Sequence, residues 1–171
     1  MIIVKPSYKI LSKVDPVEQL QLIEKIGRVC YKSEDKIDKT GESAKKLIGN
    51  LLKWHHEAVI EHSFLSVKFV CDRGVTHELV RHRIASFAQE STRYCNYAND
   101  KFGKQISVIE PYFYKTDPKR YELWKKAMEE AEKAYFALLE AGSTPQEARS
   151  VLPNSLKTEI TITANYREWR N

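Results

Sequence analysis

Three arginines close together are the clearest chemical feature of the sequence. Arg81, Arg83 and Arg93 lie within thirteen positions whose only acidic residue is Glu90. A guanidinium keeps its charge at physiological pH and presents a rigid fork of N–H donors to an oxyanion. The cluster therefore predicts an anion-binding site.

The tetrapeptide Ser91-Thr92-Arg93-Tyr94 has the composition of a phosphate cradle. It combines two hydroxyl groups with a guanidinium, and a turn at this point would add free backbone amides. Tyr94 and Tyr97 would offer flat surfaces to a planar ring, although tyrosines at this spacing also pack on strand surfaces. We predict a phosphate site at this segment and leave the role of the two tyrosines open.

Arg81 and Arg83 flank His82 near the end of a predicted helix. Apolar residues recur at helical spacing over the segment 75–84, and the C-terminus of a helix favours cations. Two residues apart on a helix, the arginines would point about 200° away from each other. They would then serve two ligands rather than one, which predicts a site at a subunit interface.

The other segments alternate between helical and strand patterns. Strand patterns cover residues 2–11, 63–72 and 157–164, and the second of these places Cys71 in the core. Helical patterns with caps or prolines start at Pro16, Ser43, Asp117 (running to Ala141) and Thr144. We predict an α+β single domain over residues 1–171.

The composition limits the class of protein. The chain has no apolar run of about 18 residues and no amino-terminal signal pattern, so we expect a cytoplasmic protein without a membrane partner. Its net charge of +5 is typical of a solvated surface. Three separated cysteines, Cys30, Cys71 and Cys95, predict reduced thiols rather than a disulfide framework or a zinc ribbon.

The motifs around the arginine cluster resemble those of a known family. Arg81-His82-Arg83 followed by Ser91 is similar to the Arg-His-Arg-x7-Ser signature of the flavin-dependent thymidylate synthases, the thymidylate synthase complementing protein family. The resemblance continues through the segments 56–62, 148–153 and 163–171. It therefore covers nearly the whole chain.

The resemblance implies a fold, an activity and a set of ligands. The fold would be of the family's type, with a mainly antiparallel sheet flanked by helices. The activity would be reductive methylation of dUMP to dTMP, with methylenetetrahydrofolate as carbon donor and FAD, reduced by NADPH, as hydride source. A homotetramer is implied, with active sites at subunit interfaces and no nucleic-acid partner.

The same resemblance implies which residues bind each ligand. The expected FAD-binding residues are Arg81, His82, Arg83, Gln89, His56, Asn165, Arg167 and Asn171. The expected dUMP-binding residues are Glu78, Arg81, Gln89, Glu90, Ser91, Thr92, Arg93 and Arg149. No metal ligand is expected.

The catalytic arginine of the family is expected outside this sequence. Family members continue beyond the position of Asn171 into a segment whose arginine polarises the uracil ring. One hypothesis is that the chain holds flavin but catalyses weakly. The other is that Arg167 or Arg170 replaces the missing cation.

Other classes of function stay open on the residues alone. Clustered arginines beside tyrosines also fit a basic nucleic-acid-binding module, or a non-catalytic flavin- or nucleotide-binding protein. Five histidines between His55 and His82 raise the question of a metal site. His56 and His62 would diverge by about 240° on a helix, which favours structural or flavin-contacting roles.

Overall fold

The computed structural model describes all residues from 1 to 171. Its helices are α1 (Pro16–Val29), α2 (Glu42–Lys53), α3 (Arg73–Leu79), α4 (Pro118–Glu140), α5 (Pro145–Ala148) and α6 (Tyr166–Arg170). Its strands are β1 (Ile2–Val4), β2 (Ser7–Ile10), β3 (Phe64–Asp72), β4 (Ala85–Gln89), β5 (Ser107–Ile109) and β6 (Lys157–Asn165). Short 3₁₀ helices span Glu34–Lys36, Glu57–His62, Asp100–Phe102, Tyr112–Tyr114 and Arg149–Val151.

The larger sheet has four strands in the order β2-β3-β6-β4, and β1 pairs with β5 in parallel. Hydrogen bonds give the direction of β6 against β3. Tyr166 N donates to Ser63 O at 2.9 Å, whereas Arg73 N donates to Leu156 O at 3.1 Å. Residue numbers rise along one strand while they fall along the other, so the pair is antiparallel. The predicted α+β class with a mainly antiparallel sheet is confirmed.

Contacts divide the chain into two compact units. Unit 1 comprises residues 1–9, 68–83 and 87–161, and unit 2 comprises residues 10–67, 84–86 and 162–171. The single domain over residues 1–171 stays a prediction. None of the helices combines the length and the apolar character that a bilayer crossing requires.

Helix α4 organises the core of unit 1. The carboxylate of its N-cap, Asp117, accepts a hydrogen bond from Arg120 N at 3.1 Å. Just past its end lies Gly142 at φ 96°, a left-handed conformation that glycine adopts without strain. The buried core of this unit consists of Tyr97, Ile106, Val108, Met128, Tyr135, Ala148 and Leu156.

Unit 2 is built on α1 packed against α2. The carboxylate of Asp15 caps α1 by accepting from Val17 N at 2.8 Å and Glu18 N at 3.0 Å. Apolar residues at helical spacing on both helices face each other, as an amphipathic stripe requires. The buried core of this unit consists of Ile23, Ala44, Ile48 and Ile60.

Unit 2 also buries a charged pair on α1. Glu24 is 0% exposed and Arg28 is 8% exposed. Nε of Arg28 donates to Oε1 of Glu24 at 2.7 Å, and Oγ of Ser43 donates to Oε2 at 2.8 Å. An unpaired buried charge is strongly destabilising, so these three groups depend on one another.

Three predicted element boundaries are wrong. The single strand predicted over residues 2–11 is two strands, β1 and β2, in different sheets. Ser43 is not an N-cap, because Gly41 at φ 85° holds that position and Ser43 lies inside α2. Helix α3 ends at Leu79, several residues short of the predicted end at 84.

The remaining predictions of elements agree with the structure. The helices starting at Pro16 and Asp117 are present, and Thr144 forms the predicted capping box with Glu147. Strands β3 and β6 match their predicted segments, and Cys71 is buried. Sequence reasoning missed β4, β5 and α6.

The buried pair of α1 gives a prediction about stability. We expect Glu24→Ala to lower the free energy of unfolding by about 3–5 kcal/mol, because Arg28 would lose its buried counter-charge. Urea unfolding followed by circular dichroism measures the change. As a control, Glu42→Ala breaks only the exposed pair with Lys45 and should change stability by less than about 1 kcal/mol. The double variant Glu24→Leu/Arg28→Met should recover most of the loss, and a double variant as unstable as Glu24→Ala would contradict this reading.

Burial of Cys71 gives a prediction about thiol reactivity. Burial, with a smaller contribution from the charge of Asp72, raises the pKa of the Cys71 thiol to about 11. At pH 8 only about one thiol in a thousand is then ionised, and the thiolate is the reactive form. We expect iodoacetamide at pH 8 to label the exposed Cys30 while Cys71 stays unlabelled, as read by mass spectrometry of peptides. Equal labelling of the two thiols in folded protein would overturn the expectation.

Candidate functional site

The Arg81-His82-Arg83 triplet lies in a turn just beyond α3. The side chain of Asp72 caps α3 by accepting from Val75 N at 2.8 Å. After the helix, Arg81 N donates to Glu78 O at 3.1 Å and His82 N donates to Leu79 O at 3.2 Å. The helical geometry predicted for the two arginines is therefore wrong, because the helix ends before it reaches them.

The triplet is exposed to solvent in unit 1. All three side chains are exposed, and Arg81 makes one ion pair, with Glu78, at 3.2 Å. Both members of that pair are about three-quarters exposed, at 74% and 75%. An exposed pair of this kind contributes less than about 1 kcal/mol, so an incoming anion can displace Glu78 at little cost.

Gln89 ends β4 with its side chain held in place. Its Nε2 donates to Oγ1 of Thr76 at 2.9 Å and to Oγ1 of Thr158 at 3.3 Å. Both threonines are buried. Because the amide nitrogen is engaged, the side chain offers its carbonyl oxygen as an acceptor to a ligand N–H.

The segment after Gln89 forms the predicted turn, but its amides are already used. Arg93 N donates to Ser91 Oγ at 3.3 Å, and Tyr94 N and Cys95 N donate to Ser91 O at 3.2 and 2.9 Å. The expected cradle of free backbone amides is therefore absent from residues 93–95. The exposed guanidinium of Arg93, 5.4 Å from the centre of the Tyr94 ring, is the main donor that this turn presents.

Glu90 and Tyr97 form a bonded pair in unit 1. Tyr97 Oη donates to Glu90 Oε1 at 3.0 Å, and Lys157 Nζ donates to Oε2 at 3.1 Å. Burial, and then the charge of Glu90, raise the pKa of Tyr97 far above its ordinary value, so the phenol keeps its proton. The Tyr97 ring is 5% exposed and packs against Phe102 and Tyr135. Of the two roles left open for Tyr97, core packing is therefore the correct one, whereas Tyr94 is 77% exposed.

Two further predicted substrate residues complete the group in unit 1. Arg149 is exposed at the end of α5, and its neighbour Ala148 is buried in the core. Thr92 is 6% exposed, so its hydroxyl is less accessible than that of Ser91. The residues predicted to bind substrate therefore share one unit, and its exposed members are the three arginines and Glu78.

The other predicted cofactor residues gather in unit 2 around α6. Asn165 caps this helix, its Oδ1 accepting from Glu168 N at 2.9 Å. Arg167 donates to Glu61 through a short hydrogen bond and lies 3.6 Å from Glu57. The hydrogen bond to Glu61 and its charge raise the pKa of Arg167.

A cavity of about 490 Å³ in unit 2 is bordered by α6. It is lined by Glu57, Glu61, Ile84, Asn165, Arg167, Glu168, Arg170 and Asn171. Three predicted cofactor residues belong to this set, and His56 lines a neighbouring cavity of about 380 Å³ together with Arg167. Sequence reasoning gave no role to Glu57 or Glu61, although their spacing of four within the segment 56–62 was a signal.

The site contains no arrangement suited to a metal ion. No three side chains of the His, Cys, Asp and Glu types lie close enough together to hold one. His55 and His56 both line the 380 Å³ cavity, where Cys30 and Tyr31 are their neighbours. The chemistry that the site offers is hydrogen bonding, with exposed arginines in unit 1 and carboxylates mixed with arginines around the α6 cavity.

Comparison with known proteins gives a consistent result. The family model described as "Thymidylate synthase complementing protein" matches residues 12–171. A flavin-dependent thymidylate synthase from Pyrococcus abyssi is 37% identical over 141 residues, which is 81% of this chain and 57% of that protein. One from Corynebacterium aurimucosum is 32% identical over 170 residues, covering 90% of this chain and 66% of that protein.

A solved structure shares the fold. The UMP/dUMP methylase PolB from Streptomyces cacaoi, bound with 5-Br dUMP, superposes with a TM-score of 0.80 at 23% identity. The match covers 98% of this chain and 76% of that one. At this level of identity the likeness shows the fold.

The chain spans roughly half to two-thirds of the length of these curated relatives. Within that span lie the arginine triplet, the Ser91–Arg93 turn and the α6 cavity. The match over residues 12–171 and the identity to relatives across most of the chain agree. The chain belongs to the thymidylate synthase complementing protein family.

Proposed function

We propose that the chain acts in the reductive methylation of dUMP to dTMP, in the cytoplasm. Methylenetetrahydrofolate supplies the carbon, and FAD, reduced by NADPH, supplies the hydride. The observation that carries this proposal is the exposure of Arg81, Arg83 and Arg93, three arginines that lie within thirteen positions of the sequence, in a chain of this family. Guanidinium groups with weak or no ion pairs are suited to bind the phosphates of a nucleotide and a dinucleotide.

The unit 1 residues fit dUMP by the types of donors and acceptors that they present. Arg93 and Arg149 supply exposed positive charge, and Ser91 supplies a hydroxyl beside Arg93. Gln89, fixed by two threonines, offers a carbonyl oxygen that can accept the N3–H of a pyrimidine. The proposed substrate-binding set is Glu78, Arg81, Gln89, Glu90, Ser91, Thr92, Arg93 and Arg149.

The two groups of cofactor residues fit different parts of FAD. Arg81 and Arg83, on either side of His82, present positive charge in the stretch between Glu78 and Glu90, which suits a pyrophosphate. The α6 cavity is lined by Glu57, Glu61 and Glu168 against Arg167 and Arg170, so acids outnumber cations there. Such a cavity suits an uncharged polar part of the cofactor. The proposed FAD-binding set is Arg81, His82, Arg83, Gln89, His56, Asn165, Arg167 and Asn171.

The protein's own contribution is binding and orientation. The flavin, when bound, supplies the hydride that the methylation requires. Arginines 93 and 149 hold the nucleotide, and the fixed amide of Gln89 orients the pyrimidine. Fixed positive charges near the ring also stabilise negative charge that develops on the uracil. Arg167 and Arg170 already pair with Glu61 and Glu57, so either can serve as the polarising cation only if its pair opens.

The exposed position of the arginines supports a homotetramer with sites at subunit interfaces. In water a single ion pair is worth about 1 kcal/mol at 4 Å, and salt screens it further. Tight binding of a phosphate by exposed guanidinium groups therefore requires surrounding protein that excludes water. We propose that a neighbouring subunit supplies this surrounding protein.

Flavin binding tests the proposed function directly. Protein reconstituted with FAD should show bound-flavin absorption bands that shift when dUMP is added. We expect Arg81→Ala to weaken FAD binding about tenfold or more, because a charge-assisted hydrogen bond is lost. Tritium release from C5-labelled dUMP, assayed with methylenetetrahydrofolate and NADPH, measures the reaction and should fall with flavin affinity.

The chain offers a matched control for this variant. Arg120 makes an exposed ion pair with Asp117 at the same spacing of three residues that Arg81 has with Glu78. Arg120→Ala should leave FAD affinity within about twofold of the wild type, because such pairs contribute little. Wild-type protein that never takes up flavin would refute the binding proposal. Salt-sensitive binding of polynucleotide tighter than that of dUMP would favour a nucleic-acid-binding function instead.

Mixed oligomers test the interface proposal. Arg93→Ala and Arg167→Ala each remove one arginine from the proposed site, and each variant alone should lose most dTMP formation. If a site takes these arginines from different subunits, a mixture refolded together contains sites with both and regains about a quarter of the activity in a random assembly. Each variant refolded alone is the control. No recovery in oligomers shown by mass spectrometry to be mixed would contradict sites that take these two arginines from different subunits.

A further inference from the structure

The segment between Glu90 and Tyr97 is a loop closed at its base. Glu90 follows β4, and its backbone N donates to Glu159 O of β6 at 2.8 Å. At the other end, Tyr97 Oη donates to the Glu90 carboxylate at 3.0 Å. This side-chain bond joins the first residue of the loop to the last.

The Tyr97 end of the loop is anchored in the core of unit 1. The ring is 5% exposed, and its centroid lies 5.2 Å from that of Phe102 and 5.8 Å from that of Tyr135. The Tyr97 backbone N also donates to Tyr135 Oη at 3.4 Å. This end therefore moves only if the core around α4 moves.

The Glu90 end is held by a chain of alternating charges. Lys157 Nζ donates to Glu90 at 3.1 Å and to Glu159 at 2.9 Å, and Lys68 donates to Glu159 at 2.8 Å. Burial alone would lower the pKa of Lys157, but its bonds to Glu159 and Glu90 outweigh that effect and raise it. Hydrogen bonds from Lys68 and Lys157 lower the pKa of Glu159. Lys157 and Glu159 therefore keep their charges at neutral pH.

The segment between these anchors carries exposed side chains, although Thr92 within it is 6% exposed. Arg93 and Tyr94 are exposed and Ser91 is half-buried, and the internal bonds of the turn run only to Ser91. Both oxygens of the Glu90 carboxylate are occupied, and a carboxylate repels a phosphate. Glu90 is therefore better suited to hold the loop than to contact the nucleotide.

We propose that Glu90 and Tyr97 are positioning residues whose hydrogen bond closes the base of the loop and thereby holds Ser91 and Arg93 in place for the phosphate of a nucleotide. This inference rests on the proposed function, and it assigns Glu90 a role different from substrate contact. Ordering the loop before binding removes an entropic penalty that the nucleotide would otherwise meet.

Tyr97→Phe tests the proposal because it removes one hydroxyl and keeps the ring in the core. We expect hydrogen exchange at the amides of Arg93, Tyr94 and Cys95 to be about tenfold faster in the ligand-free variant, and dUMP to bind about tenfold more weakly. FAD affinity should stay within about twofold, because the triplet lies on a different segment and is held by α3. Hydrogen exchange by NMR and titration of the flavin absorption bands with dUMP give the two readouts.

Two further variants separate positioning from a general loss of stability. Tyr121→Phe removes a phenol hydroxyl from α4 in the same unit and should change neither loop exchange nor dUMP affinity. Glu90→Gln keeps an acceptor for Tyr97 but weakens the bond to Lys157, so its effects should lie between those of wild type and Tyr97→Phe.

The outcomes distinguish this inference from the proposed function. Unchanged exchange in Tyr97→Phe would refute the closed loop, and faster exchange with unchanged dUMP affinity would refute its role in binding. Equal losses of dUMP and FAD affinity would show a structural role only. Failure of the wild-type protein to bind dUMP would refute the proposed function and, with it, the nucleotide role of the loop.

Discussion

Hydrogen bonding along β6 is the constraint on which most of the candidate site depends. This strand lies between β3 and β4 in the sheet, so both neighbours take their register from it. In unit 1, Glu159 O accepts a hydrogen bond from Glu90 N, and Oγ1 of Thr158 accepts one from the side-chain amide of Gln89. In unit 2, Thr163 bonds to Ser66, and Asn165 at the end of the strand caps α6. A shift of β6 by one residue would therefore turn Thr158 away from Gln89 in unit 1 and Thr163 away from Ser66 in unit 2.

The two groups of arginines differ in how their charge is balanced. Arg167 and Arg170 form ion pairs with Glu57 and Glu61, two acids that lie four residues apart on one 3₁₀ helix. These ion pairs orient the two arginine side chains beside the α6 cavity. The arginines of the 81–93 segment have one exposed partner, Glu78, and no buried counter-charge. The first arrangement orients donors around a cavity, whereas the second leaves positive charge available for an anion.

The sequence predicted those elements whose signals are local. Asp117 and Pro118 mark the start of helix α4 and Gly142 marks its end, so the sequence alone predicts this helix. Strand β6 is predictable because apolar and polar residues alternate along it. The division of the amino-terminal segment into two strands was not predictable, because β1 pairs with residues more than a hundred positions away. Ile2, for example, pairs with Ser107. The prediction of Ser43 as an N-cap was wrong because its hydroxyl donates a hydrogen bond to the buried Glu24 of another helix. This tertiary contact has no local signal in the sequence.

The candidate site shows the same division between local and distant causes. The arginine cluster and the Ser91–Arg93 turn could be found from residue types and spacing, because the residues that matter are near one another in the chain. Neighbouring residues in extended backbone point to opposite faces, and sequence order alone could not say which face each takes. Gln89 turns toward Thr76 and Thr158, whereas Glu90 turns toward Tyr97 and Lys157. A ligand that contacted the Gln89 amide would therefore lie on the face opposite the Glu90 carboxylate, and for this reason the roles that we propose for these two adjacent residues differ.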